Sequence, residues 1–243
     1  MGTDTNITLA LLHSPVVGPD TVEPTAQALT ALGYTVFVPS LVGVFDVEDV
    51  GRLDVIDRLM GQLNRIDGPL VLLAHSGAGP LLGELTVRLP DVVGHIYIDA
   101  SLPAPGSAWV DEVNFELADR LKSLVRDGRL PAWNEWFEDV SLPTLTELPL
   151  VPWTWFTEPA GPGALPASWA YLSLTDRYPE AVSRAADAEV PMIHLGVQHL
   201  GTMLYPQEVA AAIGQLLDQL LDEHMTEAAD YSRGTKLYRS SAS

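Results

Sequence analysis

The first hundred residues alternate between two hydrophobic periods. Asn6–Leu12 is a nearly unbroken apolar run ending at His13-Ser14-Pro15, the pattern of a buried strand. From Thr21 to Leu32 the apolar positions Val22, Ala26, Leu29 and Leu32 keep helical spacing, and Gly33 supplies the stop. Thr35–Val38 predicts a second short strand, closed by Pro39. Val50, Leu53, Ile56, Met60, Leu63 and Ile66 then share one helical face. A strand at Leu70–Ala74, a sharp turn, a helix from Gly79 to Leu89 and a strand at His95–Ile98 follow.

Strands that alternate with helices predict a parallel sheet. After Ala100 the alternation stops, and the segment Leu102–Ser168 with its edges holds all 6 tryptophans and two proline clusters, Pro149–Pro152 and Pro159–Pro166. Alternation resumes with a strand at Ala170–Leu174, a helix at Pro179–Ala188, a strand at Met192–Leu195 and a helix at Pro206–Leu221. The expected architecture is α/β, with a mostly parallel six-stranded sheet flanked by helices. Residues 1–101 and 169–225 form its single core, and 102–168 form an aromatic-rich, mainly helical cap between the fourth and fifth strands. The polar, unpatterned tail 226–243 is expected to be disordered.

Composition narrows the function classes. A formal charge of −19 repels nucleic acid and anionic lipid, so neither is an expected partner. The absence of cysteine excludes disulfides, thiol nucleophiles and cysteine metal sites. No histidine pair has metal-ligand spacing on a helix, so neither metal nor cofactor is expected. No apolar run is long enough to span a bilayer, and the first residues carry no basic, apolar signal, which makes the cytoplasm the default location. Oligomeric state is not encoded in any of these features.

The chemistry concentrates in Leu72-Leu73-Ala74-His75-Ser76-Gly77-Ala78-Gly79. A serine between small residues, on a tight strand-to-helix turn, projects its oxygen above a sheet as a nucleophile. Ala74 and Ala78 supply the small flanks, and the Gly77 N–H at the helix start can bind an oxyanion. Gly77-x-Gly79-x-x-x-Gly83 imitates a dinucleotide fingerprint, but its spacing is wrong and two strand–helix units precede it.

These residues resemble the α/β-hydrolase superfamily over nearly the whole chain. His13-Ser14-Pro15 stands where that family has His-Gly before its oxyanion loop, and Tyr34–Leu41 is similar to its Gly-Tyr-x-Val-x-x-Pro-x-Leu passage. Ile96–Pro103 is similar to the end of its sixth strand, and His199 followed by Pro206 to its terminal histidine motif. The resemblance implies Ser76 as nucleophile, His199 as general base and an aspartate that orients it. It offers two sites for that acid. Asp99 ends an apolar strand, where a buried carboxylate needs a partner such as His199; the alternative, Asp176, precedes a helix in a turn. Asp99 is the preferred acid.

The family's second oxyanion donor is the backbone N–H after His-Gly, which here is Pro15 and has none. Val16 is the expected replacement, with Val17, the Ser14 hydroxyl or Gly77 alone as alternatives. Of the other histidines, His75 is expected to pack beside the nucleophile and His13 to orient the oxyanion loop. His194 is expected in the core, and His95 and His224 to be structural or solvated. The resemblance and the aromatic segment imply hydrolysis of an ester, thioester or lactone of a small hydrophobic substrate. A non-hydrolytic cyclase or lyase of secondary metabolism, or a ligand-binding receptor on the same fold, is the alternative.

Overall fold

The computed structural model describes residues 7–113, 115–136, 145–163, 165, 166 and 168–221; the expectations for 226–243 and His224 lie outside them. Six strands form one sheet: β1 (Thr8–Leu12), β2 (Thr35–Phe37), β3 (Leu70–His75), β4 (Val92–Ile98), β5 (Trp169–Ser173) and β6 (Met192–His194). All neighbouring pairs are parallel, in the order β2-β1-β3-β4-β5-β6. Between them run α1 (Glu23–Ala31), α2 (Arg52–Leu63), α3 (Gly79–Arg88) and α7 (Pro179–Asp187), and β6 is followed by α8 (Gly201–Leu204) and by α9, which spans 206–221.

β1, β3 and β5 are buried along their whole length, so their sequences show no polar alternation. The period of two reappears in the packing. Leu9, Leu11, Val71, Leu73, Ile96 and Ile98 face one core with α1 and α9, against Val22, Leu29, Ile213 and Leu216. Ala10, Leu12, Leu72, Ala74 and Tyr97 face the other core with α2 and α3, against Ile56, Leu59, Leu81 and Leu85. Strand order reverses between β1 and β3, and a crevice opens at the carboxyl ends of strands at such a switch.

Among its described residues, the insertion between β4 and β5 contains three short α-helices, α4 (Trp109–Glu112), α5 (Phe115–Leu124) and α6 (Trp153–Thr157). Leu121, Leu130, Trp136, Val151, Trp155 and Phe156 extend the second core into it. Two backbone hydrogen bonds close its neck, from Gly106 N–H to the Ala160 carbonyl (3.0 Å) and from Ala160 N–H to the Ser107 carbonyl (2.8 Å). The chain then returns over α3. The Gly161 N–H donates to Glu84 (3.0 Å), and a side chain on Gly163 would overlap the backbone of Gly83. The glycines of the proline-rich tract thus admit a backbone-to-backbone crossing. Glu84 is also ion-paired with Arg52 of α2, and both side chains are buried, which ties two helices to the returning chain.

One sequence expectation changes, that for His194, while His95 takes the structural one of its two expected places. His194 is exposed rather than in the core, because β6 is a three-residue edge strand; its Nδ1 bonds the Ser173 hydroxyl at 3.0 Å. His95 is fully buried between Thr86 (2.6 Å) and Tyr97 (3.0 Å), and burial pushes its imidazole down to about 3.

Candidate active site

β3 ends at His75, and the chain turns through Ser76 with φ +58 into a 3-10 turn and then α3. A non-glycine residue in the left-handed region costs of the order of 1–3 kcal/mol and persists where the surroundings hold it. Here the constraint is close contact. A side chain on Gly79 would run into the Ser101 carbonyl, so the tight approach falls one residue beyond the buried Ala78. Asp99, at the carboxyl end of the neighbouring β4, is also left-handed at φ +43.

The structure brings Ser76, His199 and Asp99 together. His199 Nε2 lies 3.0 Å from Ser76 Oγ, and His199 Nδ1 lies 2.6 Å from Asp99 Oδ2. Asp99 is fully buried. Its Oδ1 accepts the backbone N–H groups of Leu174 (3.1 Å) and Thr175 (3.0 Å), and its Oδ2 also accepts the Thr175 hydroxyl (2.8 Å). Burial alone would raise this carboxyl, but the hydrogen bond and charge of His199, with the Thr175 donors, hold it below its ordinary value. A carboxylate at Nδ1 keeps the proton there and leaves Nε2 to accept from Ser76. Asp176 is exposed and is not part of this cluster.

His75 lies against His199, with ring centroids 4.8 Å apart, and its Nε2–H donates to the His199 carbonyl (2.9 Å). Burial, then the neighbouring His199, pushes His75 down to about 3, so it is a neutral brace for the loop after β6. His13 bridges Ser14 and Leu41: its Nδ1–H donates to the Ser14 carbonyl (2.9 Å) and its Nε2 accepts the Leu41 N–H (3.2 Å). The Val17 N–H also donates to the Ser14 carbonyl (3.2 Å), closing a turn that contains Pro15 and Val16.

A cavity of about 560 Å³ opens over Ser76 and His199, lined by Ser14, Pro15, Val16 and Gly77 on one side. Trp109, Trp133, Trp136, Trp155 and Phe156 of the insertion line the other. Phe156 is the hub of the aromatic wall, with edge contacts to Trp109 and Trp136 and a stack on Trp153.

Two features of this cavity escaped the sequence reading. The Tyr178 hydroxyl lies 3.3 Å from Ser76 Oγ, two residues past the Asp176 that drew attention instead, and burial pushes it up to about 12. The wall also carries the ionisable Glu112, Glu180, Arg177 and Arg184. Burial pushes the Glu112 carboxyl up to about 7, against the pull of Arg184 and Arg52. Glu112 therefore ionises inside the pocket near neutrality. Binding of an uncharged apolar probe in the cavity is expected to weaken severalfold as pH passes 7, and Glu112→Gln is expected to flatten that change; parallel fluorescence titrations of the two proteins check it. Native Glu112 keeps a proton that the unfolded chain releases from about 4.5 upward, so it lowers stability progressively between there and about 7. Denaturant unfolding of the Glu112→Gln protein is expected to lack that slope.

Comparison with known proteins agrees with the topology. One similar structure is an extracellular α/β-hydrolase from a Paenibacillus species, described as homologous in structure and function to tobacco salicylic acid binding protein 2. It is 20% identical, with a TM-score of 0.73, covering 86% of this chain and 98% of that one. A pyrethroid hydrolase from Sphingobium faniae JZ-2 is 21% identical, with a TM-score of 0.60, covering 89% and 99%. A polyneuridine aldehyde esterase variant is 14% identical, with a TM-score of 0.60, covering 87% and 98%. No curated protein sequence matches the chain. The model of the alpha/beta hydrolase family matches residues 11–212, from the end of β1 into α9, and the chain belongs to that family.

Proposed function

We propose that the protein is a serine hydrolase that cleaves an ester, thioester or lactone of a largely apolar small molecule. The observation that carries this reading is the hydrogen-bonded run from buried Asp99 through His199 to Ser76 on its strained turn. Ser76 Oγ adds to the substrate carbonyl carbon while its proton passes to His199 Nε2. Asp99 holds the productive tautomer and stabilises the imidazolium that forms. The oxyanion accepts hydrogen bonds from the N–H of Gly77 and of Val16, the first residue after Pro15 with an amide hydrogen to give. His199 returns the proton to the leaving oxygen or sulfur, and a water repeats the sequence to free the acid. In this reading the insertion 102–168 is the cap, and its aromatic wall takes the apolar group. The hydrolase and esterase names of the similar structures agree with it.

A fluorophosphonate tests the chemistry. The wild type is expected to take up one equivalent at Ser76, and the Ser76→Ala protein none. A panel of esters graded by acyl length then reads the pocket. Full hydrolysis by purified Ser76→Ala protein would sink the proposal. A cyclase or lyase is the second reading, favoured by Pro15, which removes a backbone donor where a hydrolase needs one. Such an enzyme converts its substrate without labelling.

A further inference from the structure

The side chain of Ser14 has no structural task. It is 2% exposed, and its Oγ is one of three buried side-chain atoms among the described residues that have no hydrogen-bond partner. A buried hydroxyl in that state destabilises the fold, so its presence calls for a function outside the resting structure. The backbone of Ser14, by contrast, is held firmly. Its carbonyl accepts from both His13 Nδ1 and Val17 N–H, and His13 is anchored in turn to Leu41.

The position of that hydroxyl matters. A Cβ built on Gly77 would lie 2.9 Å from Ser14 Oγ, and both residues line the cavity beside Ser76. The loop after β1 and the turn after β3 meet there, at the strand-order switch. The next residue, Pro15, brings no N–H to the same corner.

We infer that the Ser14 hydroxyl is a further oxyanion donor, acting beside the N–H groups of Gly77 and Val16 at the corner where Pro15 has no amide hydrogen. The inference rests on the serine-hydrolase reading and deepens it. As Ser76 Oγ bonds to the carbonyl carbon and its proton goes to His199, the carbonyl π pair moves onto oxygen. Ser14 O–H donates a hydrogen bond to that oxygen and keeps its proton. When the pair returns and the bond to the leaving group breaks, the hydroxyl is again without a partner. Ser14 thus contributes in the tetrahedral state and not in the free enzyme, the condition for raising turnover rather than affinity.

Ser14→Ala and Ser14→Gly remove the hydroxyl with little change in volume. Each is expected to lower kcat about a hundred- to a thousandfold with KM nearly unchanged, the loss seen when one oxyanion donor is deleted. Inhibition by an alkyl trifluoromethyl ketone, whose serine adduct carries the same oxyanion, is expected to weaken in parallel. The melting temperature is expected to stay level or rise, since no native hydrogen bond is lost. Both variants should still be labelled at Ser76 by the fluorophosphonate, more slowly than wild type. Labelling at Ser76 with an unchanged kcat in Ser14→Ala would overturn the inference and leave the hole to Gly77 and Val16. A fall in kcat matched by a fall in melting temperature would overturn it too, as a packing effect. A wild type that neither labels nor hydrolyses would overturn the serine-hydrolase reading itself, and Ser14 with it.

Discussion

Ser76→Ala and His199→Ala are each expected to cut the hydrolytic kcat about a millionfold, the scale of loss when the serine or histidine of such a unit is removed. The two losses should not add, because the bond between Ser76 Oγ and His199 Nε2 works only as a pair. The double variant is therefore expected to be no slower than either single one, and single-turnover assays of all three proteins check this. Alanine at position 76 keeps the left-handed φ of +58 and should leave stability nearly unchanged. Ser76→Gly removes activity as completely, yet should gain of the order of 1 kcal/mol in denaturant unfolding, because glycine takes that conformation without strain.

Asp99→Asn is expected to cost about ten-thousandfold in kcat, through the wrong histidine tautomer. The surroundings dictate how the amide would sit. Asp99 Oδ1 accepts two backbone N–H groups, from Leu174 and Thr175, so the amide oxygen must take that place. The NH2 group then faces His199 Nδ1 and donates to it, which drives the ring proton to Nε2, where it blocks acceptance from Ser76. Asp176→Asn, at an exposed position, is expected to stay within a few-fold of wild type, and paired kcat measurements separate the two. Because Asp99 titrates below its ordinary value, its contribution to stability is present above the usual carboxylate range, near about pH 4. It is lost as pH falls through the lower native value. Asp99→Asn should remove that part of the acid unfolding profile.

The sheet was legible because its strands are short apolar runs bounded by Gly, Pro and His, and its helices carry one apolar face. The division of those runs between two cores was not, since Leu9 and Ala10 are both apolar and only the sheet's pleat separates them. Ser76 announced itself locally, through its small neighbours. His199 and Asp99 lie 123 and 23 residues from Ser76 by chain, respectively beyond and at the end of other strands, so no spacing rule joins them; the family's order pointed there instead. His194 was misread because Met192 and Ile193 resemble core residues, whereas the edge of the sheet exposes Met192 and His194 and leaves only Ile193 half-buried. Tyr178 left no signal at all, and the Ser14 hydroxyl stood only as one alternative donor among several, with nothing in the sequence to show that it is buried without a partner. Their significance lies in what surrounds them, and that is a property of the fold.

The two hydrogen bonds that pinch the chain between Gly106, Ser107 and Ala160 bear on how such a protein diversifies. Everything between those points begins and ends at one place, while the run after Ala160 that crosses α3 is fixed by Glu84 and the Gly163 contact. Replacing residues 108–159 with a shorter or longer segment keeps the crossover and the strand pairings of the sheet, and removes the insertion's side of the second core with the Arg129 bonds to the Phe45 and Val47 carbonyls and the Glu158 bond to the Arg52 N–H. Closing a longer excursion is also inexpensive, about 0.6 kcal/mol for each doubling of length. In the proposed reading of 102–168 as the cap, substrate range and reaction chemistry can therefore drift separately. A chimera spliced at the pinch should inherit the donor's selectivity and keep the host's reactive serine.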